Sequence, residues 1–488
     1  MAQNKYQNKK NIRQTQTKNN AKQQQPVAKP FSWIKFCSKV LILFAIVVAV
    51  VVYTDHKEFF KADQSNNHVD RKWKSFYKFT KNKQVDILLC GNSHIITGID
   101  PFVLSCATST NSFILGTPGV SIVDTYFSLC DALKHTTPKV IVIETYAISG
   151  NNDKDNGSMF QIMSFEAHNN FWYKMRMMPE LFNNDSWVKA WSPTIRNHSF
   201  LLTNKEQIDF NIKNYGKLSN DQNKLDLGRF SRFDKGLQAE TLAKYDSIGA
   251  PVDGSKFTVS ERSKKYLKKI MTLCKEKEIP VLFLTIPMYY KHIYDYEHWK
   301  NVLAEELKKY PDAKWIDWQM PYDTTTFTPE IFENTYEANQ HLSNFGMTVT
   351  AYNLADFLLQ NNPYHLPDRS QEPQWIADFK NQPHFIFNQN VPSGMSGYYI
   401  VAKEKKADKF FVKELSVQQN QNHDRIFLKV ENRPDLPPTI VAEFVIQYQN
   451  QEMTAPIQMQ TFREVSPILH KLYIADIRKE VKVLDVKY

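Results

Sequence analysis

The chain has 488 residues, 42% of them hydrophobic, which is enough for two or three domains with sizeable cores and excludes a low-complexity or fibrous protein. Its formal net charge of +10 would suit a nucleic-acid-binding protein, but nine of the 61 basic residues lie within residues 1–39, which contain no Asp or Glu. The rest of the chain holds 52 basic and 51 acidic residues. Because a nucleic-acid-binding domain carries its basic residues on its folded part, the composition argues against a nucleic-acid partner.

An uncharged apolar run, residues 40–53, follows the basic stretch. Apolar residues before it, with Lys35 and Lys39 able to extend toward lipid headgroups, bring segment 31–54 to membrane thickness. A signal peptide has an apolar run of similar length, but here no A-x-A cleavage site closes the run and the basic leader is very long. The sequence therefore predicts an uncleaved, single-pass transmembrane anchor in a cell membrane. The positive residues before the span predict a cytoplasmic N-terminus and a periplasmic or extracellular bulk.

Three segments of different character flank this span. Residues 1–30 are mostly Gln, Asn and Lys, which predicts a disordered, basic cytoplasmic tail. Residues 55–84 are polar with scattered aromatic residues and are expected to form a short helical stalk. After residue 363 the chain alternates apolar and polar residues between polar turns, which predicts a β-rich, antiparallel domain over 363–488, such as a sandwich.

Between these segments, residues 85–362 alternate short apolar runs with longer amphipathic ones, the pattern of β-α units. The fold class predicted here is α/β, a flavodoxin-like, three-layer α/β/α domain with about five parallel strands. An insertion over 150–257 separates the third and fourth strands and is expected either to overhang the site or to form a helical subdomain. The predicted strands are Asp86–Cys90, Ser112–Leu115, Lys139–Glu144, Pro280–Ile286 and Lys314–Asp317, and the predicted helices are Ser121–His135, Ser260–Lys277, Glu297–Lys309 and Phe345–Gln360.

The first predicted strand runs directly into Gly91, Asn92, Ser93 and His94. In an open α/β sheet, ligands bind at the carboxyl ends of the strands. A serine at that place, after a glycine that permits a sharp turn, can present its hydroxyl to a cleft and its backbone N–H to an oxyanion. A serine in a strand-to-helix turn is also common for structural reasons alone.

A histidine, His341, stands immediately before the last amphipathic helix of the same region. Activation of a serine hydroxyl requires a base within hydrogen-bond reach, and histidine titrates in the useful range. Taken alone, His341 would be explained by helix capping.

Together, Gly91-Asn92-Ser93-His94 and His341-Leu342-Ser343 resemble the SGNH (GDSL-like) hydrolase superfamily. More narrowly, the chain resembles its exported, membrane-anchored branch, the alginate O-acetylation proteins and the D-alanyl transfer protein of teichoic acid synthesis. The resemblance covers about residues 85–362. It also rests on Gly98-Ile99-Asp100-Pro101, on Gly116-Thr117-Pro118-Gly119-Val120-Ser121 and on the strand Val140–Glu144.

The resemblance implies that Ser93 is the nucleophile and His341 the base that takes its proton. It implies an oxyanion hole made by the backbone N–H groups of Ser93 and of Gly116 or Gly119, with an asparagine side chain added after the third strand. Asn151, or its neighbour Asn152, lies at about that place.

One departure concerns the acid of the triad, because the family has Asp three residues before its histidine and this chain has Ala338. Without a carboxylate the imidazole tautomer is not fixed, which lowers the rate severely in other triads. Glu337 or Asp317 could replace it, a backbone carbonyl could serve, or the protein could be inactive.

Other polar residues near these motifs have more ordinary explanations. His94 is expected to face the substrate or to be structural rather than to act as the base. Asp100 before Pro101 suits a helix cap, and Glu144 a strand-end ion pair. No His, Cys and Asp cluster has metal-ligand spacing, and the sequence predicts neither a metal nor a cofactor. The four cysteines after Cys37 are expected to be free thiols, buried for the most part, with one disulfide as the alternative.

The function predicted is an exported serine esterase or O-acyltransferase that acts on acyl groups of a cell-envelope or extracellular polysaccharide through an acyl-serine intermediate. A membrane-bound acyltransferase is a possible partner. The alternatives are a catalytically inactive envelope assembly module, for which Ala338 speaks, and a glycan-binding module or adhesin built on residues 365–488.

Overall fold

The computed structural model describes residues 32–61, 68–149, 158–215, 227–228, 236–319, 329–337, 340–380, 398–407, 411–419, 423–431, 437, 439–461, 470–478 and 480–487. The predicted tail at 1–30, together with Asn151, Asn152 and Ala338, lies outside the described residues. The chain forms two compact units that divide between Glu58 and Phe59.

The described part of the first unit forms a long helix, α1 (Trp33–His56). It is capped by Ser32, whose hydroxyl accepts a hydrogen bond from the Lys35 N–H. The helix is 24 residues long, none of its residues is buried, and it is long and apolar enough to cross a membrane. The sequence therefore predicted correctly an apolar N-terminal helix of spanning length.

The second unit begins with a helix, α2 (His68–Phe79), where the sequence predicts a helical stalk, and continues as an α/β fold. Its central sheet has five parallel strands in the order β2-β1-β3-β5-β7, which confirms the predicted α/β class. These strands are β1 (Ile87–Cys90), β2 (Ser112–Ile114), β3 (Val140–Glu144), β5 (Val281–Thr285) and β7 (Lys314–Asp317), and a separate two-stranded pair consists of β4 (Val252–Asp253) and β6 (Ile293–Tyr294).

The helices that accompany the sheet occur at the predicted places and at several others. They are α3 (Ser93–Ile96), α4 (Pro101–Thr108), α5 (Ile122–Ala132), α6 (Tyr146–Ser149), α7 (Met159–Ala167), α8 (Phe171–Leu181), α9 (Trp187–Trp191), α10 (Pro193–Asn197), α11 (Phe200–Thr203), α12 (Lys205–Asn214), α13 (Ala239–Ser247), α14 (Glu261–Glu276), α15 (Tyr296–Leu307), α16 (Asn344–Leu359) and α17 (Pro373–Trp375). Short 3-10 turns lie at Asn184–Ser186, Gly254–Lys256, Tyr290–His292 and Pro329–Ile331, and a π-helical turn at Ile376–Lys380.

Successive residues of a strand point to opposite faces of the sheet. Both faces are apolar here, and helices cover both of them. Leu88 and Cys90 belong to a core shared with helices α2, α5, α14 and α15, whereas Ile87 and Leu89 belong to a core shared with α4 and α16. All four residues of β1 are fully buried, which explains why the strand reads as a continuous apolar run.

The long insertion between β3 and β5 contributes helices α7 to α13. Phe165, Met177 and Phe182 from its first half join the same core as α2 and α5. The insertion is therefore attached to the α/β core rather than built around a core of its own.

The described residues of the C-terminal part form one antiparallel sheet of seven strands in the order β14-β11-β12-β13-β10-β9-β8. It is a single sheet, whereas a sandwich would have two. Lys405, in the strand at one edge, donates a hydrogen bond of 3.1 Å to the carbonyl of Val486, in the strand at the other edge. The strands are β8 (Tyr398–Lys406), β9 (Phe411–Gln419), β10 (His423–Glu431), β11 (Thr439–Tyr448), β12 (Gln451–Thr461), β13 (His470–Arg478) and β14 (Val481–Val486).

Candidate active site

The loop that carries Ser93 is fixed by the residues on either side of it. Gly91 follows β1 with a φ of +147°, and a Cβ there would lie 2.7 Å from the Cβ of Glu144, so no other residue fits. The Asn92 side chain then accepts a hydrogen bond from the His94 N–H at 2.9 Å and caps α3. Ser93 is thus the first residue of a short helix at the carboxyl end of β1, partly exposed, where an α/β sheet binds its ligands.

The turn after β2 lies against this loop. A Cβ on Gly116 would be 2.3 Å from Ile95 Cγ2, so the turn approaches α3 as closely as a glycine allows. The N–H of Thr117 donates to the carbonyl of Gly91 at 3.1 Å, which ties the two segments together. The structure therefore brings Gly116, a predicted oxyanion residue, next to the loop of Ser93.

A buried lysine also contacts the turn after β2. The ammonium of Lys72, on α2, donates a hydrogen bond to the carbonyl oxygen of Gly116. Lys72 is buried. Burial raises the pKa of the nearby Asp124 carboxyl, and the Ser164 hydroxyl, His168 and, least, the charge of Lys72 oppose that rise. The Gly116–Thr117 peptide group is thus held at its oxygen by Lys72 and at its N–H by the carbonyl of Gly91. The sequence analysis missed this role because α2 was assigned only to a stalk.

The second predicted oxyanion glycine has a different environment. Gly119 is exposed with a φ of +63°, and a Cβ there would lie 3.1 Å from the ring of Phe160 on α7. The insertion therefore lies next to this turn, as expected for a segment at the carboxyl side of the sheet.

His341 reaches the Ser93 loop through the helix that follows it. Ser343 caps α16, and within α16 the hydroxyl of Thr350 donates to the carbonyl of Gly98, while the Asp100 N–H donates to the carbonyl of Met347 at 3.1 Å. The ring centroids of His94 and His341 are 5.2 Å apart. Two segments separated by almost 250 residues in the sequence therefore meet, as the catalytic hypothesis requires.

The carboxylate that lies beside His341 is Glu333, which the sequence analysis did not consider. Glu333 Oε2 is 3.5 Å from His341 Nδ1, longer than a good hydrogen bond but within ion-pair distance. An antiparallel bridge between Phe332 and Leu342 and a hydrogen bond of 2.8 Å from the Glu333 N–H to the His341 carbonyl fix this arrangement.

The two acids suggested from the sequence lie elsewhere. Glu337 is exposed, and its N–H donates to the Thr335 hydroxyl at 3.2 Å. Asp317 accepts hydrogen bonds from the Tyr296 hydroxyl at 2.8 Å and from the Gln319 N–H at 3.0 Å. Glu333 is therefore the better candidate for the third member of a triad.

His94 faces inward rather than toward a substrate. Its ring is 3% exposed and stacks on Tyr146 at 4.3 Å between centroids. Burial is the main cause that lowers the pKa of His94 well below its usual value, with a smaller contribution from His341 and His292, so its imidazole is neutral at physiological pH. This placement favours the structural interpretation of His94 over substrate binding.

A hydrogen-bonded network anchors the residue before His341. The Tyr245 hydroxyl lies 2.7 Å from His292 Nδ1 and accepts from Gln340 Nε2 at 3.0 Å, while Gln340 Oε1 accepts from the Tyr289 N–H at 2.6 Å. Because Tyr245 lies on α13, the network joins the insertion to the His341 segment. No local pattern could have indicated this network. Except for Tyr289 and His292, which share one turn, its members are 44 or more residues apart in the sequence.

Glu144 is a buried carboxyl below the Ser93 loop. Its Oε1 accepts a hydrogen bond from the Tyr146 N–H at 2.7 Å, and burial raises its pKa to about 8. At neutral pH this group is mostly protonated, which differs from the ion pair expected at the end of the strand. Asp100, by contrast, caps α4 as predicted, accepting from the Phe102 N–H at 2.9 Å.

Within the described part of the chain, no group of three or more His, Cys, Asp or Glu side chains is arranged to hold a metal ion. Cys90 and Cys274 are buried free thiols.

No family model and no curated protein matches the chain. Solved structures of β-glucosidase 3B from Thermotoga neapolitana, in complexes with glycerol and with α-D-glucose, align at 10% identity and a TM-score of 0.13. The alignments cover 84% and 85% of this chain and 82% and 81% of those chains. A TM-score this low supports no argument about fold or function.

Proposed function

We propose that this protein is an exported, membrane-anchored serine esterase or O-acyltransferase that acts on acyl groups of a cell-envelope or extracellular polysaccharide. The strand order of the sheet supports a flavodoxin-like arrangement of the SGNH type. The observation that carries the proposal is the distance of 5.2 Å between the rings of His341 and His94, the residue next to Ser93.

In this proposal Ser93 Oγ attacks the acyl carbonyl carbon, and His341 takes the hydroxyl proton and returns it to the leaving oxygen. Glu333 lies at Nδ1 of His341 and stabilises the imidazolium that forms. The backbone N–H groups of Ser93 and Gly116 donate to the developing oxyanion. Water or a polysaccharide hydroxyl then attacks the acyl-serine, which gives hydrolysis or transfer.

The alternative is an envelope assembly or glycan-binding module that keeps the fold without catalysis. Ala338, at the place where the resemblance leads one to expect an aspartate, is the observation that favours it. The seven-stranded sheet, β8 to β14, would then be the part that binds a glycan.

A fluorophosphonate probe separates the two functions, since it reacts with an activated serine. We expect the full chain to be labelled at Ser93 and the Ser93→Ala variant to show no labelling. The Ser255→Ala variant, which changes an exposed serine in the turn after β4, should retain labelling and serves as the control. Absence of labelling in a wild-type protein with native circular dichroism would show that the non-catalytic alternative is correct.

A further inference from the structure

The chain immediately after α1 is held by the insertion. Phe60 and Lys61 are buried, although they follow an apolar helix that ends at His56. Asn211 donates through Nδ2 to the carbonyls of Phe59 and Lys61 at 3.0 and 2.7 Å, and Asn197 donates to the carbonyl of Phe60 at 2.8 Å. Every carbonyl of this three-residue segment therefore bonds to the insertion.

The helices that provide these two asparagines also present apolar side chains to solvent. Leu201 and Leu202, in the short helix between them, are 61% and 92% exposed, and Phe210 and Ile212 are exposed on either side of Asn211. Ile195 is exposed two residues before Asn197. We call Ile195, Leu201, Leu202, Phe210 and Ile212 the insertion patch.

Aromatic residues lie on the neighbouring helices. Phe171 has its ring centroid 5.2 Å from that of Trp172 and 5.3 Å from that of Trp191, and all three side chains are exposed, Trp172 by 75%. Helix α9, which ends at Trp191, packs against α10, which carries Ile195. Exposed tryptophan beside aliphatic side chains is typical of the interface between a bilayer and water.

The covalent chain limits how far the segment 59–61 can be from the end of α1. Three peptide steps join His56 to Phe59 and span at most about 10 Å. If α1 enters a membrane, the segment 59–61 follows within about 10 Å of chain, and Asn197 and Asn211 are the insertion residues that bind it.

We propose that the insertion patch is seated in the interfacial layer of the lipid bilayer that α1 enters. Residues 193–215 contain three Lys or Arg and two Asp or Glu, so the surface is close to neutral and binds through burial of apolar area rather than through charge. The protein therefore contacts the bilayer twice, through α1 and through the insertion patch, whether or not Ser93 is catalytic. The inference depends on α1 as a membrane anchor and not on the esterase function.

The test uses the full chain in protein-free phosphatidylcholine vesicles, with a protease site inserted between Glu58 and Phe59. After cleavage, we expect the body from Phe59 onward to float with the vesicles in about 1 M NaCl, where the screening length is only about 3 Å. The double variant Leu201→Glu/Leu202→Glu should be released, with the retained fraction reduced by about tenfold.

The control is Val441→Glu/Met453→Glu, which changes two side chains of the seven-stranded sheet that are 53% and 42% exposed. This variant should stay on the vesicles like the wild type. Release of the wild-type body on cleavage would overturn the proposal, and so would equal retention of the leucine variant. Retention on native membranes but not on lipid vesicles would assign the patch to a protein partner instead, and failure of the uncleaved chain to float would refute the anchor itself.

Discussion

At the scale of single residues, the structure changes the identity of the acid in the proposed triad. A search for Asp three residues before His341 meets Ala338, and the nearest acid in sequence, Glu337, is exposed. Glu333 is farther away in sequence but lies 3.5 Å from His341 Nδ1, because the bridge between Phe332 and Leu342 folds the chain back. Distance along the sequence is a poor guide where two segments run antiparallel.

We predict that Glu333→Gln lowers the rate of fluorophosphonate labelling by at least about 100-fold, since an amide cannot stabilise the imidazolium of His341. Glu337→Gln is the matched control and should stay within about twofold of the wild type, because an exposed charge contributes little. A time course of probe labelling, quenched at intervals and read by in-gel fluorescence, measures both rates. The reverse order of effects would return the role to Glu337.

At the scale of elements, α2 has two functions in packing. Its apolar residues Trp73 and Phe76 lie in the core on one side of the sheet, which accounts for the amphipathic pattern of the helix. Its Lys72 reaches the carbonyl of Gly116 and holds the turn that faces the Ser93 loop. The helix that follows the apolar N-terminal segment thus also positions a proposed oxyanion donor.

We predict that Lys72→Met reduces the labelling rate at Ser93 by about tenfold, because the Gly116 turn loses the donor that fixes it. Lys74→Met is the control on the same helix, since the Lys74 side chain is 46% exposed and pairs with Asp70 at 2.7 Å. The midpoint of thermal unfolding should be recorded for both variants. Equal labelling rates in the two variants would show that Lys72 only stabilises the fold.

At the scale of the whole molecule, a buried ion pair joins segments that are 283 residues apart. Arg369 donates to both carboxylate oxygens of Asp86, at 2.6 and 2.8 Å, and Asp86 is completely buried at the start of β1. Trp375 adds a hydrogen bond of 3.0 Å to the carbonyl of Thr110. The chain beyond α16 therefore packs on the α/β core before the seven-stranded sheet begins.

We predict that Arg369→Met lowers the free energy of unfolding by about 3–5 kcal/mol, because it leaves the buried Asp86 carboxylate without its cation. Glu372→Gln removes only the exposed partner of Arg369 and should cost less than about 1 kcal/mol. Urea unfolding followed by tryptophan fluorescence compares the two. A similar, small loss in both variants would mean that Asp86 is stabilised adequately without Arg369.

The sequence alone determined the apolar N-terminal helix, the five parallel strands and the antiparallel C-terminal strands. These elements follow from local chemistry, since a buried parallel strand must be a continuous apolar run and a strand with one buried face must alternate. It also identified Ser93 and His341 as residues to examine, from their positions at the end of a strand and before a helix, and Gly116 through the resemblance to a known family.

Only the tertiary structure decided which residues surround them. Glu333, Lys72 and the Tyr245 network depend on contacts between segments that are far apart in sequence or folded back on each other, and no period or propensity encodes such contacts. The cap at Asp100 could be predicted because capping is local, whereas the Asp124 carboxylate, which a capping box would turn back to Ser121, instead accepts from Ser164 on the insertion at 2.7 Å. Local rules thus hold until a partner from another part of the chain offers a stronger hydrogen bond in the buried interior.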